Sequence, residues 1–194
     1  MSRADAGPPR WGLMSQGLHW LSAFLLAAVL ALGIHMSEFA DDAAQKFDLF
    51  QLHKTSGALI FPLTLLRLIW LFSSARPQPA AALSRFERLA SKTVHAALYL
   101  GIAALCLSGY AMVSASPLPL PVVLPGGVSL PNLLAPDFAA SETYKAAHRW
   151  TAWAFAALMA LHIGAALAHR YVRRDDVLAR MLPWKSRGRP DGMA

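Results

Sequence analysis

Residues 146–168 read AAHRWTAWAFAALMALHIGAALA. The run is apolar and long enough to cross a bilayer, which takes about 20 residues of helix. It carries His148 and His162, fourteen residues apart. At about 100° per residue, fourteen residues return to within roughly 40° of the starting direction, so the two imidazoles share one helix face. At about 1.5 Å per residue they stand about 21 Å apart along the axis. One helix thus offers an imidazole near each leaflet.

Three more stretches have this character. Together the four read Met14–His35, Lys54–Phe72, Val94–Ala115 and Ala146–His169. The chain is 56% hydrophobic and 15% charged, against about 25% charged in soluble domains. The expected fold is therefore all-α: an integral membrane four-helix bundle, one domain over residues 1–194. Arg67 is the clear exception to the scarcity of charge within the segments.

The formal net charge is +7, and its distribution argues for a membrane rather than a nucleic acid. Basic residues cluster at Arg3 and Arg10, at Arg76, Arg85, Arg88 and Lys92, and at Arg170, Arg173, Arg174, Arg180, Lys185, Arg187 and Arg189. The loop after segment one is acidic, with Glu38, Asp41, Asp42 and Asp48. Alternating basic and acidic connections place both termini in the cytoplasm. The first segment reads as an uncleaved anchor, since no convincing small-x-small cleavage site follows it. Cys106 is the only cysteine. It reads as a small buried residue. The chain has no C-x-x-C-H attachment motif, so any haem is held without thioether links.

Among the connections, Leu83 to Ser91 has helical apolar spacing and is expected to lie along the interface. The longest connection, 116–145, contains several prolines and Gly126-Gly127. That excludes a continuous helix. Its apolar character suggests a cap on the outer mouth. Met181-Leu182-Pro183-Trp184 reads as an interfacial anchor.

All seven histidines fall within the segments or at their ends. The topology places His53, His148 and His35 at the outer level, and His19, His162, His95 and His169 at the inner. Histidine within a membrane segment is costly and usually functional, although an interhelical hydrogen bond also accounts for any single one. A porphyrin beside its ligand needs room. Four positions after His19, His53, His148 and His162 stand Ala23, Gly57, Ala152 and Ala166; after His35, His95 and His169 stand Phe39, Tyr99 and Arg173. Clearance therefore selects His53 with His148, and His19 with His162, as axial ligands of two non-covalently held haems. Arg67 lies fourteen residues after His53. It is the candidate partner of an inner haem propionate, the alternative being snorkelling to the headgroups.

The chain resembles the bacterial cytochrome b561 family. The resemblance lies in Gly17-Leu18-His19-Trp20-Leu21, Leu52-His53-Lys54-Thr55-Ser56-Gly57, Leu66-Arg67-Leu68, Val94-His95 through Leu100, and His148 through His169, followed by Arg180-Met181-Leu182-Pro183. It implies a multi-pass bacterial inner-membrane protein with two b haems. In one branch it implies electron passage from superoxide to ubiquinone; in related cytochromes, a subunit docking a dehydrogenase or hydrogenase.

Two histidines per iron leave no open coordination position, which favours outer-sphere electron transfer. The leading expectation is an oxidoreductase that oxidises superoxide at the periplasmic face and reduces ubiquinone. Lys54, Lys145 and Arg149, near His53 and His148 in sequence, are expected to steer the anion. The alternatives are a haem subunit docking a separate dehydrogenase, which short outer loops disfavour, and a haem-free channel lined by histidines. His95 and His169 are left as candidates for quinone contact or proton delivery.

Overall fold

The structure, a computed structural model, describes residues 10–75, 77–78, 83–118 and 120–183. The charges at Arg3, Arg76, Lys185, Arg187 and Arg189, and the anchoring role given to Trp184, lie outside the described residues. Four long helices make up the body: α1 (Leu13–Glu38), α2 (Ala43–Ser73), α3 (Arg85–Ser114) and α4 (Phe138–Tyr171). Each is long and apolar enough to cross a membrane.

Three helices begin well before their apolar windows, because capping groups set the ends rather than hydropathy. Asp42 accepts the Gln45 N–H at 2.7 Å. Asp137 accepts that of Ala140 at 3.0 Å. Ser84 and Glu87 form a reciprocal capping box at 3.2 and 2.8 Å. Each satisfies backbone donors that a helix start leaves open. The segment Leu83 to Ser91 is therefore no separate interfacial helix; from Arg85 it is the opening of α3. His53 likewise sits eleven residues inside α2 rather than at its start.

Two antiparallel hairpins, α1–α2 and α3–α4, build the bundle, and α2 meets α3 over a shorter stretch. Each hairpin has three rungs. In the first, Gly33 faces His53, Leu26 and Ile60 share the core, and His19 faces Arg67. In the second, Gly109 faces His148, Ile102 packs with Phe155, and His95 faces His162. On every helix the rung positions are seven residues apart, an interval after which a straight helix has drifted by only about 20°. The middle rung is the core: Ile60, Ile102 and Phe155 are buried among Val29 and neighbouring apolar side chains. Outside it the helices present Phe24, Leu107 and Trp150 at 65–73% exposure, the surface a helix offers to lipid.

The connection between α3 and α4 folds back as a cap, as its composition suggests. It contains a short antiparallel hairpin, β1 (Val122–Val123) and β2 (Ser129–Leu130), turned at Gly126 and Gly127, whose φ values of 88° and 82° suit glycine. Thr55 Oγ1 donates to Val123 O at 2.7 Å, and Tyr110 donates to the Pro131 carbonyl. At the other end a single-turn segment, Ala179–Met181, crosses beneath α1. There Trp20 Nε1 donates to Met181 O at 2.8 Å, and Gln16 Nε2 and the Trp11 amide donate to Arg180 O.

Candidate functional site

The rungs bring the four histidines selected from the sequence into two facing pairs. At the end of the bundle that carries the cap, the loop level, the rings of His53 and His148 have centroids 6.2 Å apart and planes at 87°. At the other end, the termini level, His19 and His162 stand 6.4 Å apart at 64°. First-row metal–imidazole bonds run about 2.0 Å, and a ring centroid lies about 1 Å behind its nitrogen, so two rings clasping one iron are about 6 Å apart. Both pairs fit that span. Among the described residues no group of three or more His, Cys, Asp or Glu gathers to chelate a bare ion. Two facing imidazoles at this separation suit a metal whose other positions a macrocycle would fill.

The hydrogen bonds differ between levels. His148 Nδ1 lies 3.1 Å from Leu105 O and 3.2 Å from Ser108 Oγ. A carbonyl can only accept, so the Nδ1 proton points there and Nε2 carries the lone pair that metal ligation needs. The Nδ1 of His53 is buried. Among the described residues it has no hydrogen-bond partner. At the termini level Arg67 Nη2 is 2.7 Å from His19 Nδ1. Arginine can only donate. Ligation through Nε2 puts the proton on Nδ1, so Arg67 must then turn to another acceptor. Its guanidinium also lies 5.4 Å from the Tyr99 ring centre, and among the described residues no carboxylate pairs with it.

Two cavities meet at the loop-level pair. One, of about 800 Å³, runs from His53 and His148 to a polar rim that includes Glu38, Lys46, Glu142, Lys145 and Arg149. The other, about 320 Å³, is apolar. It reaches the same rings between α2 and α3, beneath Val122 and Leu130.

The steering charges need correction. Lys54 is buried at 7% exposure, and its ammonium donates to Leu120 O and Pro121 O at 3.1 and 3.3 Å. It fastens the cap to α2, a role invisible until the cap is seen to fold back. Lys145 pairs with Glu142 at 3.2 Å, and Arg149 with Glu38 at 3.4 Å. Lys46, passed over in the sequence, lines the large cavity and is exposed.

Of the remaining histidines, His35 and His169 lie apart from the two pairs, whereas His95 packs on one of them. His35 stacks on Phe39 at the exposed end of α1. His95 touches the His162 ring at 5.1 Å and turns its Nδ1 to its own helix, 2.6 Å from Ser91 O. His169 Nδ1 lies 2.6 Å from Asp175 Oδ2, on the segment that follows α4. Gly33 and Gly109, facing the loop-level ligands, were missed. The signal was present: each lies fourteen residues after a histidine, His19 and His95, repeating the interval that marks α4.

Known proteins are similar to this chain over most of its length. A family profile for prokaryotic cytochrome b561 matches residues 10–184. Cytochrome b561 homolog 2 of Escherichia coli K12 is 34% identical over 175 residues, covering 90% of this chain and 92% of that protein. Cytochrome b561 homolog 1 of the same organism is 25% identical over 166 residues, covering 86% and 93%.

Proposed function

This chain belongs to the prokaryotic cytochrome b561 family of membrane haem electron-transfer proteins, and on that premise we propose that it is a di-haem wire between superoxide and ubiquinone. His53 and His148 hold the loop-level b haem; His19 and His162 hold the termini-level one. The observation that carries this is the pair of ring separations, 6.2 and 6.4 Å, at two depths of one bundle. When bound, haem supplies a one-electron couple. Two imidazoles on each iron would leave no position open to substrate, and the bound group would exchange electrons at its edge.

Arg67 has a cation's need for an anion within a membrane segment. A propionate of the termini-level haem meets that need and frees His19 Nδ1 to keep its proton. Between the levels, Leu26, Ile60, Ile102 and Phe155 form a dry spacer. That packing also speaks against a continuous aqueous pore, and family membership sets the channel reading aside.

With Arg10, Arg85, Arg88, Lys92, Arg170, Arg173 and Arg174 at the termini end, the positive-inside rule puts that end in the cytoplasm and the loop level in the periplasm. The 800 Å³ cavity then opens a route for a small anion from the periplasmic face to the loop-level haem, with Lys46 at its rim. Ubiquinone takes electrons from the termini level. The test is anaerobic addition of superoxide to the purified oxidised protein, followed by ubiquinone. Rapid reduction of the haem bands and reoxidation by quinone are expected. A protein that carries both haems yet removes superoxide no faster than buffer belongs instead to the subunits that dock a separate dehydrogenase.

A further inference from the structure

We propose that Gly33 and Gly109 are positioning residues for the loop-level pair. Each uncovers the backbone carbonyl four residues earlier on its own helix, so that Nδ1 of the opposing histidine can turn to it. This rests on the reading of His53 and His148 as axial ligands.

The two contacts repeat one design in two hairpins. A Cβ on Gly33 would stand 2.9 Å from His53 Cε1 and 3.4 Å from its Nδ1; a Cβ on Gly109 would stand 3.1 and 3.2 Å from the same atoms of His148. The carbonyl beside His148 Nδ1 is that of Leu105, four residues before Gly109. At the equivalent place in the first hairpin Val29 stands four residues before Gly33, and His53 Nδ1 has no other partner among the described residues. Helical side chains lean toward the N-terminus and cover the turn before their own Cα. A side chain at 33 or 109 would therefore cover the very carbonyl the ring approaches. Glycine leaves it open at both places. The proton held on Nδ1 leaves Nε2 for iron and fixes the ring plane. Other glycines do not share this role: Gly17 and Gly164, also helical, have nothing within 4 Å of an added Cβ.

The test uses the full-length haem-loaded protein. Gly33→Ala and Gly109→Ala are compared with Gly17→Ala and Gly164→Ala, with alanine the better helix former at every site. Haem affinity, the midpoint potential and the ferric low-spin resonance of each haem are read separately. The first two variants are expected to lose loop-level haem affinity by about 10–100-fold, as loss of a ligand's outer partner does, or to shift that haem's resonance and potential. The termini-level haem should be unchanged in the same molecule, which reports a folded bundle. The two control variants should match the unsubstituted protein. If Gly33→Ala and Gly109→Ala both match the controls while His53→Ala loses one haem, the glycine role is overturned and the ligand reading stands. If His53→Ala keeps both haems, the ligand reading falls and the proposal with it. Should the alanine variants fail to accumulate, the exchangeable Nδ1 protons of the unsubstituted protein decide. Hydrogen-bonded protons on both loop-level ligands support the proposal; free ones on both overturn it.

Discussion

At the loop level each ligand ring faces a glycine; at the termini level His19 faces Arg67 and His162 faces His95. The helices, the seven-residue rungs and the ring separations are nearly the same at both ends. What differs is the residue across the rung. Glycine gives each ring room, and His148 has a backbone acceptor for its Nδ1 that leaves Nε2 free. Arginine gives charge, and it competes for the nitrogen whose proton ligation requires. The loop level is thus shaped by clearance and the termini level by electrostatics. A cation there would favour the reduced, less positive state of a haem bound beside it.

The largest expected effect would break the two-level scheme outright. His53→Ala or His148→Ala should take haem content from two per chain to one, removing the loop-level haem. His19→Ala or His162→Ala should remove the other. Haem quantification in extracted pyridine complexes checks this. Loss of a haem in His95→Ala or His35→Ala, with retention in one of the four, would reassign the ligands.

The electrostatic difference is sharpened by Arg67→Gln. The termini-level midpoint potential should fall by tens of millivolts, on a one-electron scale where about 59 mV is a factor of ten, while the loop-level potential holds. Spectroelectrochemical titration reads both. Equal shifts at the two haems would deny Arg67 a local role.

Lys54→Met separates the structural cation from the steering ones. It removes the donor shared by the Leu120 and Pro121 carbonyls, at a cost of about 1 kcal/mol. Faster protease cleavage near Gly126 should report a loosened cap, and unchanged cleavage would contradict the fastening role. The smallest effect belongs to Lys46→Gln, which should slow reduction by superoxide a few-fold and flatten its salt dependence. Removing Lys145 or Arg149 should matter less, since each already faces a carboxylate in an exposed pair. Such pairs contribute about 0–1 kcal/mol.

The four spans and the four paired histidines were legible because membrane segments are written in composition and a helix repeats its face every seven residues. The fourteen-residue step from His148 to His162 put two imidazoles on one helix face, and the equal step from His53 put Arg67 at the level of His19. Helix starts were misjudged because apolar windows mark the bilayer, whereas Asp42, Ser84 and Asp137 mark the helices. Gly33 and Gly109 escaped notice because glycine carries no chemistry of its own; only antiparallel register shows what it faces. Lys54 was misread for a similar reason. Its partners, Leu120 and Pro121, are distant in sequence and reach it only through the folded cap.

Low-temperature electron paramagnetic resonance of the purified, fully oxidised protein, with haem counted on the same sample, tests the central claim most directly. The account predicts two haems per chain and two distinct low-spin ferric signals. The loop-level signal should be the more anisotropic, from rings near perpendicular at 87°, against 64° at the termini level. One haem per chain, or a high-spin signal from an iron lacking one of its two imidazoles, would contradict it.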